Sequence, residues 1–135
     1  MTLLLDTHYV FALAGSPGTL TRAELQYLHE YRGRFVVSAV SIWEVRVKWK
    51  ALHKSGARKG PVSAEDVLRV LVSDDIVDFL PMTAAHAAAT LGTPISHGDP
   101  FDELLLTQAQ CEGIKLLTRD RNLTRHPLVE RIRFA

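Results

Sequence analysis

Along the chain, short apolar runs alternate with longer stretches in which apolar residues recur every three or four positions. The first kind of segment reads as a buried strand and the second as an amphipathic helix covering a sheet. Strands are expected at residues 2–5, 34–38, 76–80, 114–118 and, from a weaker run, 132–135. Helices are expected at 12–14, 21–31, 42–52, 64–73, 84–91 and 100–112. Some of the helices carry their own start signals, since Thr21 with Glu24, Ser41 with Glu44 and Ser63 with Asp66 have the spacing of capping pairs. Gly113 is placed to end the last long helix. Such alternation defines an α/β protein with a parallel sheet.

Length and cysteine content narrow this further. A chain of 135 residues fits one domain, 1–135, large enough to bury a core without disulfides or a structural metal. Cys111 is the sole cysteine, which excludes an intramolecular disulfide and a cysteine-based zinc cluster and suits a reducing compartment; it is expected to be a buried thiol. The start, "MTLLLD", has no basic segment and reaches Asp6 after three leucines, so it is expected to be neither a signal peptide nor a membrane span. A cytosolic protein is the resulting expectation.

The net charge of +1 gives no general basic field of the kind a nucleic-acid binder displays. The distribution of charge says more. Residues 45–64 contain no acid, while Arg46, Lys48, Lys50, Lys54, Arg58 and Lys59 crowd into the same stretch. A solvated helix end running into a loop at 53–61 accounts for this, and so does a surface for a polyanion.

The candidate chemistry lies in the acids. Asp6 follows "LLL" and Asp120 follows "IKLLTR", so both come just beyond the C-terminal ends of expected strands, the edge where open α/β sheets bind ligands. Glu44 falls in the first turn of the helix after "FVVS", and Asp102 in the first turn of the helix before "IKLLT". Both of those turns belong to the same edge, because a helix that follows a parallel strand starts there and a helix that precedes one must start there to run back. Each acid also has a local explanation: Glu44 as a capping partner, Asp6 and Asp120 as turn residues, Asp99 and Asp102 as a cap and a first-turn charge. Local explanations do not account for four carboxylates on one rim, where they repel. A divalent cation removes the conflict, and oxygen ligands alone favour Mg²⁺ or Mn²⁺. Asp6, Glu44, Asp102 and Asp120 are the expected metal ligands and catalytic residues. Asp99 is expected beside them as a partner that supports a ligand or acts through a water, and Thr118 as the group that orients Asp120 or a metal-bound water.

The remaining signals are weaker. His8, His53, His86, His97 and His126 form no i, i+4 ligand pair and read as ordinary polar residues, although His97 lies close enough to Asp99 to orient it. Trp43 and Trp49 are expected in the core or on a dimer surface rather than as a stacking platform for bases.

Four segments together resemble the PIN domain, and more specifically the VapC-type ribonuclease toxins of type II toxin–antitoxin pairs: "LLLDTH", "VSAVSIWEVRVK" with Glu44, "HGDPFDELLLTQA" with Asp99 and Asp102, and "LLTRDRNL" with Asp120. Their order and spacing span nearly the whole chain. The resemblance implies a five-stranded parallel sheet in the order 3-2-1-4-5 flanked by helices, and an endoribonuclease dependent on Mg²⁺ or Mn²⁺. It also implies a homodimer and a VapB-type antitoxin partner. Asp6, Glu44, Asp102 and Asp120 match the acidic quartet of that family, and Asp99 a frequent extra acid. Glu103 departs from the related "DPFDR" pattern, which has arginine there. Lys48, Lys50, Lys54, Arg58 and Lys59 are the expected RNA-backbone contacts. Two other readings stay open at this point: a PIN-like module that binds nucleic acid or protein without turnover, and a phosphatase-like α/β domain using Asp6 as nucleophile. "DTHYV" speaks against the latter because it lacks a second aspartate two residues after Asp6.

Overall fold

A computed structural model describes residues 1–15, 19–51, 55–56, 62–96 and 98–133. Its centre is β1 (Thr2–Leu5), whose Leu3, Leu4 and Leu5 are each at most 1% exposed. A strand apolar on both faces needs cover on both, which is the condition of a parallel sheet. Leu3 and Leu5 pack on one side with Val45, Val67 and Leu71, whereas Leu4 packs on the other with Leu105, Leu106 and Ala109. The two sides of the molecule therefore have separate cores divided by the sheet.

The chain continues through α1 (Thr7–Leu13), α2 (Arg22–Glu30), β2 (Arg34–Ser38), α3 (Ala39–Lys50), α4 (Ala64–Asp74) and β3 (Val77–Leu80). After these come α5 (Ala84–Ala88), α6 (Pro100–Glu112), β4 (Lys115–Leu117), a 3₁₀ turn (Arg121–Leu123) and β5 (Val129–Glu130). The five strands are parallel and ordered β3-β2-β1-β4-β5. Leu5 stands opposite Leu117 in register, so the chain leaves β1 and β4 at the same level of the same edge.

The element types agree with the expected pattern, and four local differences have physical causes. The helix expected at 12–14 is the full α1, started by Asp6 as its N-cap. Its Thr7, Tyr9, Val10 and Ala12 are all buried, so it shows no polar face and no helical period, and its β-branched and aromatic residues have modest helix propensity. Second, α3 starts at Ala39, not 42. Ser38 ends β2 and caps α3 at once, its hydroxyl accepting from the Val40 amide at 2.9 Å, and this leaves Ser41 inside the helix and outside any capping role. The last strand is Val129–Glu130 rather than 132–135, because the strand is set by pairing with Leu116 and Leu117 while Ile132 is buried beyond it; residues 134–135 lie outside the described residues. Finally, Cys111 is exposed, since the buried side of α6 runs through Leu105, Leu106 and Ala109 and position 111 falls across the helix from it.

Other start and stop signals hold. Thr21 and Glu24 form a reciprocal capping box, Ser63 caps α4, and Gly113 ends α6 in the left-handed conformation at φ 68°. Buried Gln108 ties α6 to the rest of the sheet edge: it accepts from the Ser38 hydroxyl and donates to the Pro81 carbonyl at 3.3 Å. No described helix is long and apolar enough to cross a membrane.

Candidate active site

Asp6 leaves β1 as a strand residue and enters α1 as its cap. Its amide donates to the Leu117 carbonyl at 3.0 Å, which ties it to the end of β4. One carboxylate oxygen accepts from the Thr7 amide at 2.7 Å and the other from the Thr118 hydroxyl at 2.5 Å. Thr118, 1% exposed, also accepts from the Asp120 amide at 3.1 Å. Thr118 thus gives its proton to Asp6 and holds Asp120 through the backbone amide. The Asp120 carboxylate accepts from the Asn122 amide at 2.9 Å and starts the 3₁₀ turn.

Glu44 lies in the second turn of α3, not the first, as the earlier start of the helix requires. It is buried, and its two oxygens have different partners. One accepts from the Thr7 hydroxyl at 2.5 Å, beside the Ser41 hydroxyl, and the other pairs with Lys48 one turn on at 2.9 Å. Thr7 therefore joins two acids, donating its amide to Asp6 and its hydroxyl to Glu44. Sequence reasoning passed over Thr7; its only signal was a small hydroxyl residue directly after an acid at a strand end.

Asp99 caps α6, accepting from the Phe101 amide at 2.9 Å and the Asp102 amide at 3.4 Å. Asp102 follows in the first turn and is 8% exposed. Burial first, and then the charges of Asp6, Asp99, Asp120 and Glu44, push its carboxyl up to about 7. Asp6 is raised as well, by burial, with Glu44 and Asp120 adding to the rise while its bonds from Thr118 and Thr7 oppose it. The acids from α1, α3, α6 and the turn after β4 thus feel one another, as expected for one rim. Among the described residues, no three His, Cys, Asp or Glu side chains are drawn together tightly enough to form a ready metal cluster. Asp6, Asp99 and Asp120 are instead held by local donors, and Glu44 by the Thr7 hydroxyl and Lys48. Repulsion that raises Asp102 and a donor set made only of carboxylate oxygens both fit a hard divalent cation.

The expected cationic segment is seen in part. Lys48 is the ion-pair partner of Glu44, and Lys50 is exposed at the end of α3, whereas Lys54, Arg58 and Lys59 lie outside the described residues, as do His53 and His97. Glu103 is exposed in the first turn of α6, so its departure from the family pattern does not touch the buried acids. Trp43 belongs to the surface, 54% exposed, with the Arg46 guanidinium 5.0 Å from its ring.

A further cluster adjoins the rim and gave no sequence signal, because its members are scattered through the chain. Glu24 is fully buried; it accepts from the Thr21 amide at 2.9 Å and from the Tyr9 hydroxyl at 2.6 Å. Burial pushes its carboxyl up, but those two bonds and the Arg119 charge outweigh it and hold the group below the usual range. Arg119 itself lies between Thr118 and Asp120 and reaches His8 and Glu24.

Comparison with known proteins agrees with this architecture. The chain matches the PIN domain family over residues 3–128 and belongs to it. It is 27% identical to Ribonuclease VapC22 of Mycobacterium tuberculosis, over 93% of this chain and 92% of that protein. Among solved structures, the fold is shared with DNA-bound VapBC from Salmonella typhimurium, at TM-score 0.60 and 19% identity over 97% of this chain and 98% of the other. A toxin–antitoxin complex from Klebsiella pneumoniae gives TM-score 0.59 and 18% identity over 95% of both chains.

Proposed function

We propose that the chain, as a single PIN domain across 1–135, is a metal-dependent endoribonuclease and the toxin of a toxin–antitoxin pair. The observation that carries this reading is the placement of Asp6, Glu44, Asp102 and Asp120 on one rim, where burial first and then the charges of the neighbouring acids raise the Asp102 carboxyl to about 7. Such an arrangement is unfavourable for a fold alone and is relieved by bound positive charge. Membership of the PIN family and likeness to a named VapC ribonuclease support the same reading.

Asp6, Glu44, Asp102 and Asp120 would hold the ion, which is Mg²⁺ or Mn²⁺ by its ligand chemistry. When bound, such an ion activates water and offsets charge on a phosphodiester under attack. The chain's own residues do the positioning. Thr118 and Thr7 fix the Asp6 carboxylate, Thr7 also fixes Glu44, and Lys48 balances Glu44. Purified chain should cleave labelled single-stranded RNA with Mg²⁺ or Mn²⁺ and stop in excess chelator. Cleavage that persists in chelator, once contaminating nuclease is excluded, would remove the metal from the mechanism.

An acidic centre repels RNA, so cations must supply binding. We assign this to Lys48, Lys50, Lys54, Arg58 and Lys59, which lead away from Glu44. Changing three of the five to Gln should lower the slope of log affinity against log salt by about 0.7 for each lost phosphate contact. An unchanged slope would return the segment to a solvated surface.

The likeness to VapBC assemblies supports a VapB-type antitoxin as partner; a homodimer working in the cytoplasm is what the family resemblance adds to this reading. Trp43, Leu68 and Phe79, with half-buried Ile42 between them and the core, present an exposed apolar strip across α3, α4 and β3, the kind of surface that a protein partner covers.

A further inference from the structure

Arg119 has the chemistry of a cation held in place for something else. Its Nη1 donates to His8 Nε2 at 2.8 Å and to the Thr19 carbonyl at 3.2 Å, and stands 3.4 Å from a Glu24 oxygen. Arginine offers only donors, so His8 Nε2 is the acceptor and the His8 proton sits on Nδ1. The side chain of Arg119 is nonetheless 37% exposed; its Nη2 makes one long contact, 3.5 Å, to the Thr19 carbonyl, and its Nε donates to no described residue.

Neutralising Glu24 is not enough to explain this arrangement. The Thr21 amide and the Tyr9 hydroxyl already satisfy a different oxygen each of that carboxylate, at 2.9 and 2.6 Å, and the arginine contact is the longest of the three. Instead, a fully buried anion, a ring nitrogen and a carbonyl fix the Nη1 end of a guanidinium whose side chain stays 37% exposed. The location matters: Arg119 is the residue before Asp120, and His8 lies in the first turn of the helix capped by Asp6. Lys48, a further cation at this rim, pairs with Glu44 on the α3 side.

We infer that Arg119 binds a backbone phosphate of single-stranded RNA next to the bond that is cut, with Glu24, Tyr9 and His8 as its positioning residues. This rests on the nuclease reading above and adds a binding residue to it. A planar fork preset at the metal site takes a phosphate with less ordering of its own side chain than a free lysine needs. It also supplies a cation on the β4 side of the acids, opposite in the chain to the segment after Glu44.

The test measures fluorescent RNA binding to the full chain with Mg²⁺, in an Asp6→Asn background that leaves the RNA intact. Arg119→Gln should weaken affinity about tenfold, the size of one charged hydrogen bond, and lower the salt slope by about 0.7. Arg119→Lys should keep the slope and recover part of the affinity. Tyr9→Phe, which frees Glu24 but leaves the charge of Arg119, should keep the slope and cost a few-fold in affinity. Because Arg119→Gln alone leaves Glu24 buried without its cation, Arg119→Gln with Glu24→Gln provides a folded control, and the reduced slope should persist in it. Unaltered affinity and slope in that double variant would make Arg119 a partner of Glu24 and nothing more. If the parent chain neither binds RNA here nor cleaves it as wild type with metal, the nuclease reading itself falls; a parent that binds while the double variant binds equally sinks only the role of Arg119.

Discussion

Asp6→Asn lowers RNA cleavage by about 100-fold or more while leaving the fold intact. Loss of groups that merely support a metal ligand typically costs 10–100-fold, and Asp6 is placed to be a ligand itself. The substitution keeps the shape that fills the space between Thr7 and Thr118 and removes one negative charge from the rim. Because burial and the neighbouring acids already raise the Asp6 carboxyl, removal of that charge is not a loss to the metal-free protein. Its melting temperature without metal should therefore equal or exceed that of the wild type. Cleavage assays with Mg²⁺ and Mn²⁺ alongside thermal melts would read both outcomes. Full activity in the folded variant would place the chemistry elsewhere. Lost activity with a collapsed melt would mean that Asp6 serves the fold through its cap of α1 and its bonds to Thr118.

The second large effect is a dependence of metal binding on pH. The Asp102 carboxyl rises from 3.8 to about 7 in the folded chain. A raised carboxyl stabilises the folded state fully below its unfolded value, and that contribution disappears as pH climbs through about 7. Above pH 7, the metal-free site carries its full mutual repulsion. A bound cation must displace the Asp102 proton below pH 7 and need not do so above it. Affinity for Mg²⁺ should increase by up to about tenfold between pH 6 and pH 8, an upper bound because solvent screens part of the repulsion. The rise in melting temperature on adding Mg²⁺ should be larger at pH 8 than at pH 6, by mass action. Titration calorimetry at pH 6.5 in buffers of different ionisation heat should show proton release. Equal shifts at the two pH values, with no proton released, would show that Asp102 takes no part in holding the ion.

Sequence pattern was most informative where burial is two-sided or a cap is local. β1 and β2 were legible to the residue because "TLLL" and "RFVVS" hold short continuous apolar runs with no competing helical period. α1 was not, because seven residues buried on most sides carry no amphipathic signature. Among the acids, Asp6 and Asp120 were placed by strand ends and Asp102 by a cap and a proline, all short-range signals. Glu44 was placed at the right edge for a partly wrong reason, since the helix that carries it starts at Ala39. Thr7 and the cluster of Tyr9, Glu24 and Arg119 were illegible, as their relation exists only once α1, α2 and β4 have been brought together. Glu24 in particular reads as a capping residue and is one; nothing local says that the same carboxylate also receives a tyrosine and an arginine.

The separation of the two cores by β1 makes the position of the first acid a matter of phase. Leu3 and Leu5 point into one core and Leu4 into the other, and the two cores are built from different helices. Neither core can accept the other's leucine without the whole strand turning over. Asp6 is the next beat of that two-residue rhythm, still bonded to Leu117 as a strand residue would be. The direction of its carboxylate is consequently not adjustable on its own account. It is fixed by the hydrophobic bookkeeping of three leucines, so the same parity that decides which side of the sheet each leucine fills also aims the acid at the rim.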